Sequence, residues 1–149
     1  MKVEKDFRDF IGLLNRNDIH YLIIGGFAYS FYAEPRFTKD IDILIEQSME
    51  NAKKILKALK DFGFTDIGLT EKDFLETGQV IQLGVAPIRI DILTSIKGMD
   101  FPSFWDNRVV GRYGDIDVFF ISKQDLIKCK QASGRKQDLA DIEKLESIE

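Results

Sequence analysis

Apolar residues at Phe7, Phe10, Ile11 and Leu14 repeat with the period of one helix face, which predicts an amphipathic helix over about residues 4–16. Tyr21-Leu22-Ile23-Ile24 is a short apolar run ending at Gly25-Gly26, the pattern of a buried strand entering a turn. Phe27 to Tyr32 follows without a breaker as a short helix, stopped by Pro35. Asp40-Ile41-Asp42-Ile43-Leu44-Ile45 alternates at first and reads as a strand. Ser48 caps the next helix, with Ala52, Ile55, Leu56 and Leu59 on one face and Gly63 just past its end. Val80 to Leu83 and Ile88 to Leu93 form two strands joined at Gly84-Val85-Ala86-Pro87. Arg108 to Arg112 and Ile116 to Ile121 form a second hairpin around Tyr113-Gly114-Asp115. Ser122 starts a helix with Asp125 as its capping-box partner, and Ser133-Gly134 breaks it. Leu139, Ile142, Leu145 and Ile148 form a last helical stripe. With no repeat or linker, residues 1–149 are expected to form one mixed α/β domain. Helices would flank a small mixed sheet with antiparallel hairpins.

Composition narrows the class. An apolar fraction of 44%, a charged fraction of 31% and three Pro exclude collagen-like, low-complexity and wholly disordered chains. The net charge of -4 disfavours a general nucleic-acid coat. A single cysteine, Cys129, excludes an internal disulfide and a Cys-based zinc site, and it reads as an ordinary helix residue. Met1 to Asp6 lead into an amphipathic segment, not an apolar leader, and no apolar run approaches the ~20 residues of a membrane span. The expectation is a reduced, cytoplasmic domain with no membrane partner.

Two strands carry candidate chemistry. Residues i and i+2 of a strand share a face, so Asp40 and Asp42 point one way and Ile41, Ile43 and Ile45 the other. Arg89 and Asp91 likewise share a face opposite Ile88, Ile90 and Ile92. If these strands are neighbours, three carboxylates converge, and a divalent cation is the usual relief for their repulsion. Hard oxygen ligands suit Mg2+ or Mn2+. An acidic solvent face is the plainer reading of Asp-x-Asp alone. A second copy, Asp115-Ile116-Asp117, follows Tyr113-Gly114 and is explained by a turn. The first copy differs in its upstream context. Gly25-Gly26 closes a strand and opens a helix, with thirteen residues between it and Asp40, and such a helix start presents free N–H groups to phosphate.

Together, Gly25-Gly26, Asp40-Ile41-Asp42 and Asp91 resemble the nucleotidyltransferase superfamily related to DNA polymerase beta. Ile24-Gly25-Gly26-Phe27-Ala28 and Pro35-Arg36-Phe37-Thr38-Lys39-Asp40-Ile41-Asp42 are similar to small prokaryotic members near the abortive-infection toxin nucleotidyltransferases and to the lincosamide nucleotidyltransferases. The stretch from Asp125 to Asp141, with Lys130, Ala132, Arg135, Lys136, Asp138 and Asp141, resembles the way those small proteins end. Many active members have Ser where this chain has Gly26; Ser30 is a substitute if it faces the same way.

The resemblance implies a nucleotidyltransferase-like fold and transfer of a nucleoside monophosphate from an NTP to a hydroxyl acceptor. Two metals, roughly 3.5–4 Å apart, would stabilise the attacking and leaving oxygens. Asp40 and Asp42 would hold both, and Asp91 the one on the acceptor side, where it also takes the hydroxyl proton. No histidine base is then needed, and His20, the chain's one histidine, reads as structural. Lys130, Arg135 and Arg36 are candidate triphosphate ligands, with Lys39 a further cation beside the acidic strand. Residues 122–136 carry a local +4 and residues 137–149 a local -4, two solvated faces in the plainer reading. Arg89 reads as an ion-pair partner of Asp91. Phe101, Phe104, Trp105, Phe27, Phe31 and Phe37 read as core. The acceptor is open among an antibiotic, a tRNA 3′ end and a protein hydroxyl, and a second subunit or small protein partner could complete the site. The competing class is a non-catalytic binding protein of the same fold, an antitoxin-like partner or a nucleotide sensor.

Overall fold

The computed structural model describes residues 3–148 apart from 37, 39, 66, 86 and 87, and the backbone but not the side chains of 85 and 88. The readings of Phe37 and Lys39, and of the Ala86-Pro87 joint, lie outside the described residues. Helix α1 (Lys5–Arg16) buries Phe7, Phe10, Ile11 and Leu14. Strand β1 (Tyr21–Ile24) passes directly into α2 (Gly25–Tyr32), which starts two residues earlier than the apolar pattern suggests. Strand β2 (Asp40–Ile45) leads to α3 (Met49–Phe62). There Ser48 Oγ accepts from the Asn51 N–H, and Gly63 ends the helix at φ 112°. A short α4 (Glu71–Leu75) precedes β3 (Val80–Val85) and β4 (Ile88–Leu93). Then come α5 (Phe101–Asp106), β5 (Val109–Tyr113), β6 (Ile116–Phe120), α6 (Lys123–Ser133) and α7 (Lys136–Glu146).

The six strands form one sheet in the order β3-β4-β2-β1-β6-β5. The β3/β4 and β5/β6 hairpins are antiparallel, as is β1/β2, whereas β2/β4 and β1/β6 are parallel. The fold is therefore mixed α/β with helices flanking a mixed sheet. Ile41, Ile43, Ile90 and Ile92 are buried on one side of its centre and share the core with α1 and α3 residues such as Phe10, Ile55 and Leu59. None of the described helices is long and apolar enough to cross a membrane.

Four local expectations change. Strand β3 runs on through Gly84 to Val85. Helix α4 has no apolar period to announce it: Asp73 accepts from the Thr70 N–H at 2.8 Å, and Phe74 is its buried anchor. Asp125 is no capping-box partner, because its buried carboxylate accepts from Asn107 Nδ2 at 3.2 Å. Ser122 Oγ still caps α6 by accepting from the Asp125 N–H. In α7, Leu139 is 58% exposed, and the inward stripe is Asp138, Asp141, Ile142 and Leu145.

That half-acidic stripe has a reason. Asp141 accepts from Arg36 Nη1 at 3.0 Å and Nη2 at 2.5 Å, from Lys130 Nζ at 2.9 Å and from Gln137 Nε2 at 2.8 Å. Asp138 accepts from Arg135 Nε at 2.8 Å and lies 3.7 Å from Lys130 Nζ. Asp138 and Asp141 thus close on Lys130 and Arg135, while Lys128, Lys136, Glu143 and Glu146 face solvent. Burial pushes the Asp141 carboxyl upward, but hydrogen bonds from Arg36, Lys130 and Gln137 outweigh it and hold it well below the usual carboxylate range. Removing one partner of a buried pair strands the other charge. Asp141→Ala is therefore expected to cost about 3 kcal/mol in urea unfolding. Leu139→Ala, on the exposed side, should stay within about 0.5 kcal/mol of wild type.

Candidate active site

Strand β2 lies between β1 and β4, and its register sets the site. Asp42 pairs with Ile24 of β1 on one side and with Asp91 of β4 on the other. Asp40 is opposite Arg89. The two acidic strands are thus neighbours and parallel, and Asp40, Asp42 and Asp91 share the face away from the isoleucines. Asp91 is 7% exposed. Burial, the charges of Asp91 and Asp40, and a hydrogen bond with the Asp91 carboxyl together push Asp42 up to about 6, while Arg89 opposes the rise.

Gly25 sits against this acid. Its φ is +66°, and a Cβ there would lie 2.2 Å from Asp42 Oδ2. The turn out of β1 can run this close to β2 only without a side chain. Gly26 faces Thr38, whose Cβ and Oγ1 would each be 3.4 Å from an added Cβ. Thr38 Oγ1 donates to the Asp40 carbonyl at 2.9 Å, tying the segment before β2 to its first acid. Ser30 Oγ accepts from the Arg36 N–H at 3.2 Å, so its hydroxyl serves the chain entering β2.

The three candidate phosphate cations are all engaged. Arg36 is bidentate on Asp141, and its guanidinium carbon lies 3.9 Å from the centroid of the Tyr29 ring. Lys130 is buried between Asp141 and Asp138. Arg135 pairs with Asp138 but is 76% exposed. The resemblance takes in Asp138, Asp141 and Thr38 but gives none of them a role, and Tyr29 has no signal. The matched +4 and -4 of the two C-terminal segments were the physical hint that the first two face cations. Elsewhere, Asp115 pairs with Arg8 in its turn, His20 pairs with Glu46 at 3.2 Å and stacks on Trp105, and Phe104 is core. Phe31, at 36% exposure and so not core, stacks on the buried Phe120. Burial pushes the Cys129 thiol up to about 11, which keeps it protonated and inert.

A model of the family described as nucleotidyltransferase of unknown function (DUF6036) matches residues 2–149. The chain belongs to this nucleotidyltransferase family. Among proteins of curated function, none matches it in sequence. Its fold is shared with a candidate nucleotidyltransferase of Thermotoga maritima, at 14% identity and a TM-score of 0.63 over 95% of this chain and 90% of the other. It is similar to the lincosamide antibiotic adenylyltransferase LnuA, solved with lincomycin bound. There the identity is 18% and the TM-score 0.61, over 98% of each chain. An antigenic nucleotidyltransferase-like protein of Paracoccidioides brasiliensis matches at 18% identity and a TM-score of 0.56, over 94% of this chain and 74% of that one.

Within this nucleotidyltransferase fold, the acidic face carries the oxygen donors that suit a hard divalent cation: three carboxylates, one desolvated and pressed by the other two. Among the described residues, no three His, Cys, Asp or Glu side chains stand, as placed, where they could together hold a metal ion. Arg89 instead links Asp91 and Asp40, at 3.2 Å and 3.8 Å.

Two outcomes test this geometry. Gly25→Ala should lower the melting midpoint markedly, because it combines a positive φ with a clash on Asp42, whereas Gly12→Ala meets open space and should not. The second concerns pH. The folded-state pKa of Asp42 lies above its ordinary 3.8, so its contribution is lost as pH rises from about 4 through about 6. Relative to Asp42→Asn, wild type should lose roughly 2 kcal/mol of stability between pH 4 and 7, read from urea unfolding at each pH.

Proposed function

We propose that this chain is a divalent-cation-dependent enzyme that transfers a nucleoside monophosphate from an NTP to a hydroxyl acceptor, releasing pyrophosphate. The observation that carries this reading is the row Ile24, Asp42 and Asp91 across three adjoining strands, with Gly25 of the following turn against Asp42, within a nucleotidyltransferase fold. Asp40, Asp42 and Asp91 would hold Mg2+ or Mn2+, which when bound neutralises their mutual repulsion and acidifies the acceptor hydroxyl.

The chain's own groups take complementary sides. The first N–H groups of α2, at Gly25 and Gly26, face phosphate oxygens as an unpaired helix start does. In-line displacement puts the attacking hydroxyl opposite the pyrophosphate. The acceptor therefore approaches from the β4 side, where Asp91 accepts its proton. Arg36, Lys130 and Ser30 act by holding the segment that delivers Asp40. Of the three candidate cations, Arg135 is the most exposed and turns to the triphosphate. Similarity to LnuA makes ATP and a small hydroxylated molecule the first pair to test.

The experiment incubates the protein with each α-labelled NTP, Mg2+ and a cell lysate, and looks for label on a new product. Wild type should label and Asp42→Asn should not; identical signals from the two would overturn the reading. Binding without turnover would leave the chain as a nucleotide sensor. In parallel, Mn2+ with ATP at about 100 times Kd should stabilise wild type by about 2.7 kcal/mol, a melting shift of several degrees. Asp42→Asn should lose that shift. Asp115→Asn should keep it, since Asp115 is paired with Arg8 in a turn.

A further inference from the structure

The cation nearest the acidic face is the chain's own. Arg89 stands two residues before Asp91 on β4 and in register with Asp40 on β2. Its Nε donates to Asp91 Oδ1 at 3.2 Å and its Nη2 to Asp91 Oδ2 at 3.4 Å, while Nε lies 3.8 Å from Asp40 Oδ1. The guanidinium therefore caps both oxygens of one acid and reaches a second. It is the only cation within ion-pair distance of any of the three carboxylates among the described residues. Among the described residues, it leaves Asp42 against Asp91 without a direct partner of opposite charge.

We propose that Arg89 is a resident counter-ion that competes with the divalent cation, so that metal entry displaces its guanidinium from Asp91 and Asp40. The proposal rests on the reading above, in which Asp40, Asp42 and Asp91 take the metal. Three observations make displacement the physical consequence. The Asp91 side chain is 10% exposed and both its oxygens already accept from Arg89, so a cation arriving there meets oxygens already engaged by a positive charge and is repelled by it at close range. The Arg89 side chain is 38% exposed, so it has an open path away from the strand. One guanidinium offsets only one of three negative charges, so a divalent ion is the stronger counter-ion once it arrives. A freed, permanently charged guanidinium at the edge of the site is then available to an anionic ligand. Bare metal binds weakly under this arrangement, and metal arriving with a polyphosphate binds well, because the polyphosphate gives the released cation a new partner.

The test measures Mn2+ binding without nucleotide, from the spectrum of free Mn2+, for wild type, Arg89→Ala, Arg89→Gln and Asp42→Asn. In 0.5 M KCl the screening length falls to about 4 Å, which removes the long-range effect of deleting a charge and leaves contact competition. Arg89→Ala and Arg89→Gln should each bind Mn2+ about tenfold more tightly than wild type. Equal or weaker binding by both would overturn the proposal, since Arg89 would then be holding the acids in place for the metal. In wild type, the Nε–Hε resonance of Arg89, assigned by its loss in Arg89→Lys, should move to the position of a free arginine as Mg2+ is added. A resonance that stays put at saturating Mg2+ overturns the proposal as well. If wild type and Asp42→Asn bind Mn2+ alike, the metal site itself is wrong and the proposal falls with it. If Asp42→Asn binds more weakly and the Arg89 variants bind no tighter, only the role of Arg89 is wrong. Melting curves without metal establish that each variant is folded.

Discussion

Everything at the acidic face depends on one register, the placement of β2 between β1 and β4. Ile24, Asp42 and Asp91 stand abreast on three strands. A slip of one residue would send Ile41 and Ile43 to the acidic side and drive carboxylates into the core. The isoleucines on the far face, each almost fully buried, make that slip prohibitive. Hydrophobic burial thus enforces a juxtaposition that electrostatics alone opposes. Two carboxyl groups held side by side store free energy in the native state, and a ligand of positive charge is what recovers it.

The second constraint is the charge network between α6 and α7. Buried carboxylates are costly unless their oxygens are filled, and both oxygens of Asp141 are filled by Arg36, Lys130 and Gln137. Such a network adds little net stability compared with an apolar contact of the same size. What it adds is placement. Arg36 cannot drift while it is bidentate on Asp141 and stacked on Tyr29, and the chain reaches Asp40 only four residues later. Ser30 and Thr38 tighten the same segment from inside, through one hydrogen bond each to the backbone of Arg36 and Asp40.

Elements whose signal is local were legible in the sequence. The alternation in Asp40-Ile41-Asp42-Ile43, the Ser48 cap and the Gly63 stop each depend on neighbours a few residues away, and each appears in the fold where the pattern puts it. The parallel pairing of β2 with β4 joins residues about fifty apart, so the sequence alone left it conditional. Helix α4 was invisible because one Phe74 and one carboxylate cap carry it without any repeat. Asp138 and Asp141 look like surface residues until Lys130 and Arg36 are known to face them. A period-reading rule assigns the inward side of α7 to Leu139 for the same reason. Apolar spacing marks which residues avoid water but is silent about charges that bury one another.

The Arg36–Asp141 bond has a consequence in time. Its two residues are separated by 105 positions, so during synthesis Arg36 leaves the ribosome long before the carboxylate that restrains it exists. The strands and their acids are made in the interval. At about 5–20 residues per second, that interval lasts from about 5 to 20 seconds, during which the segment ahead of Asp40 lacks its tie to α7. The lead-in to the acidic face is therefore completed only when α7 arrives, and a nascent chain stalled before α7 would carry the acids on their strands with Arg36 still without its carboxylate.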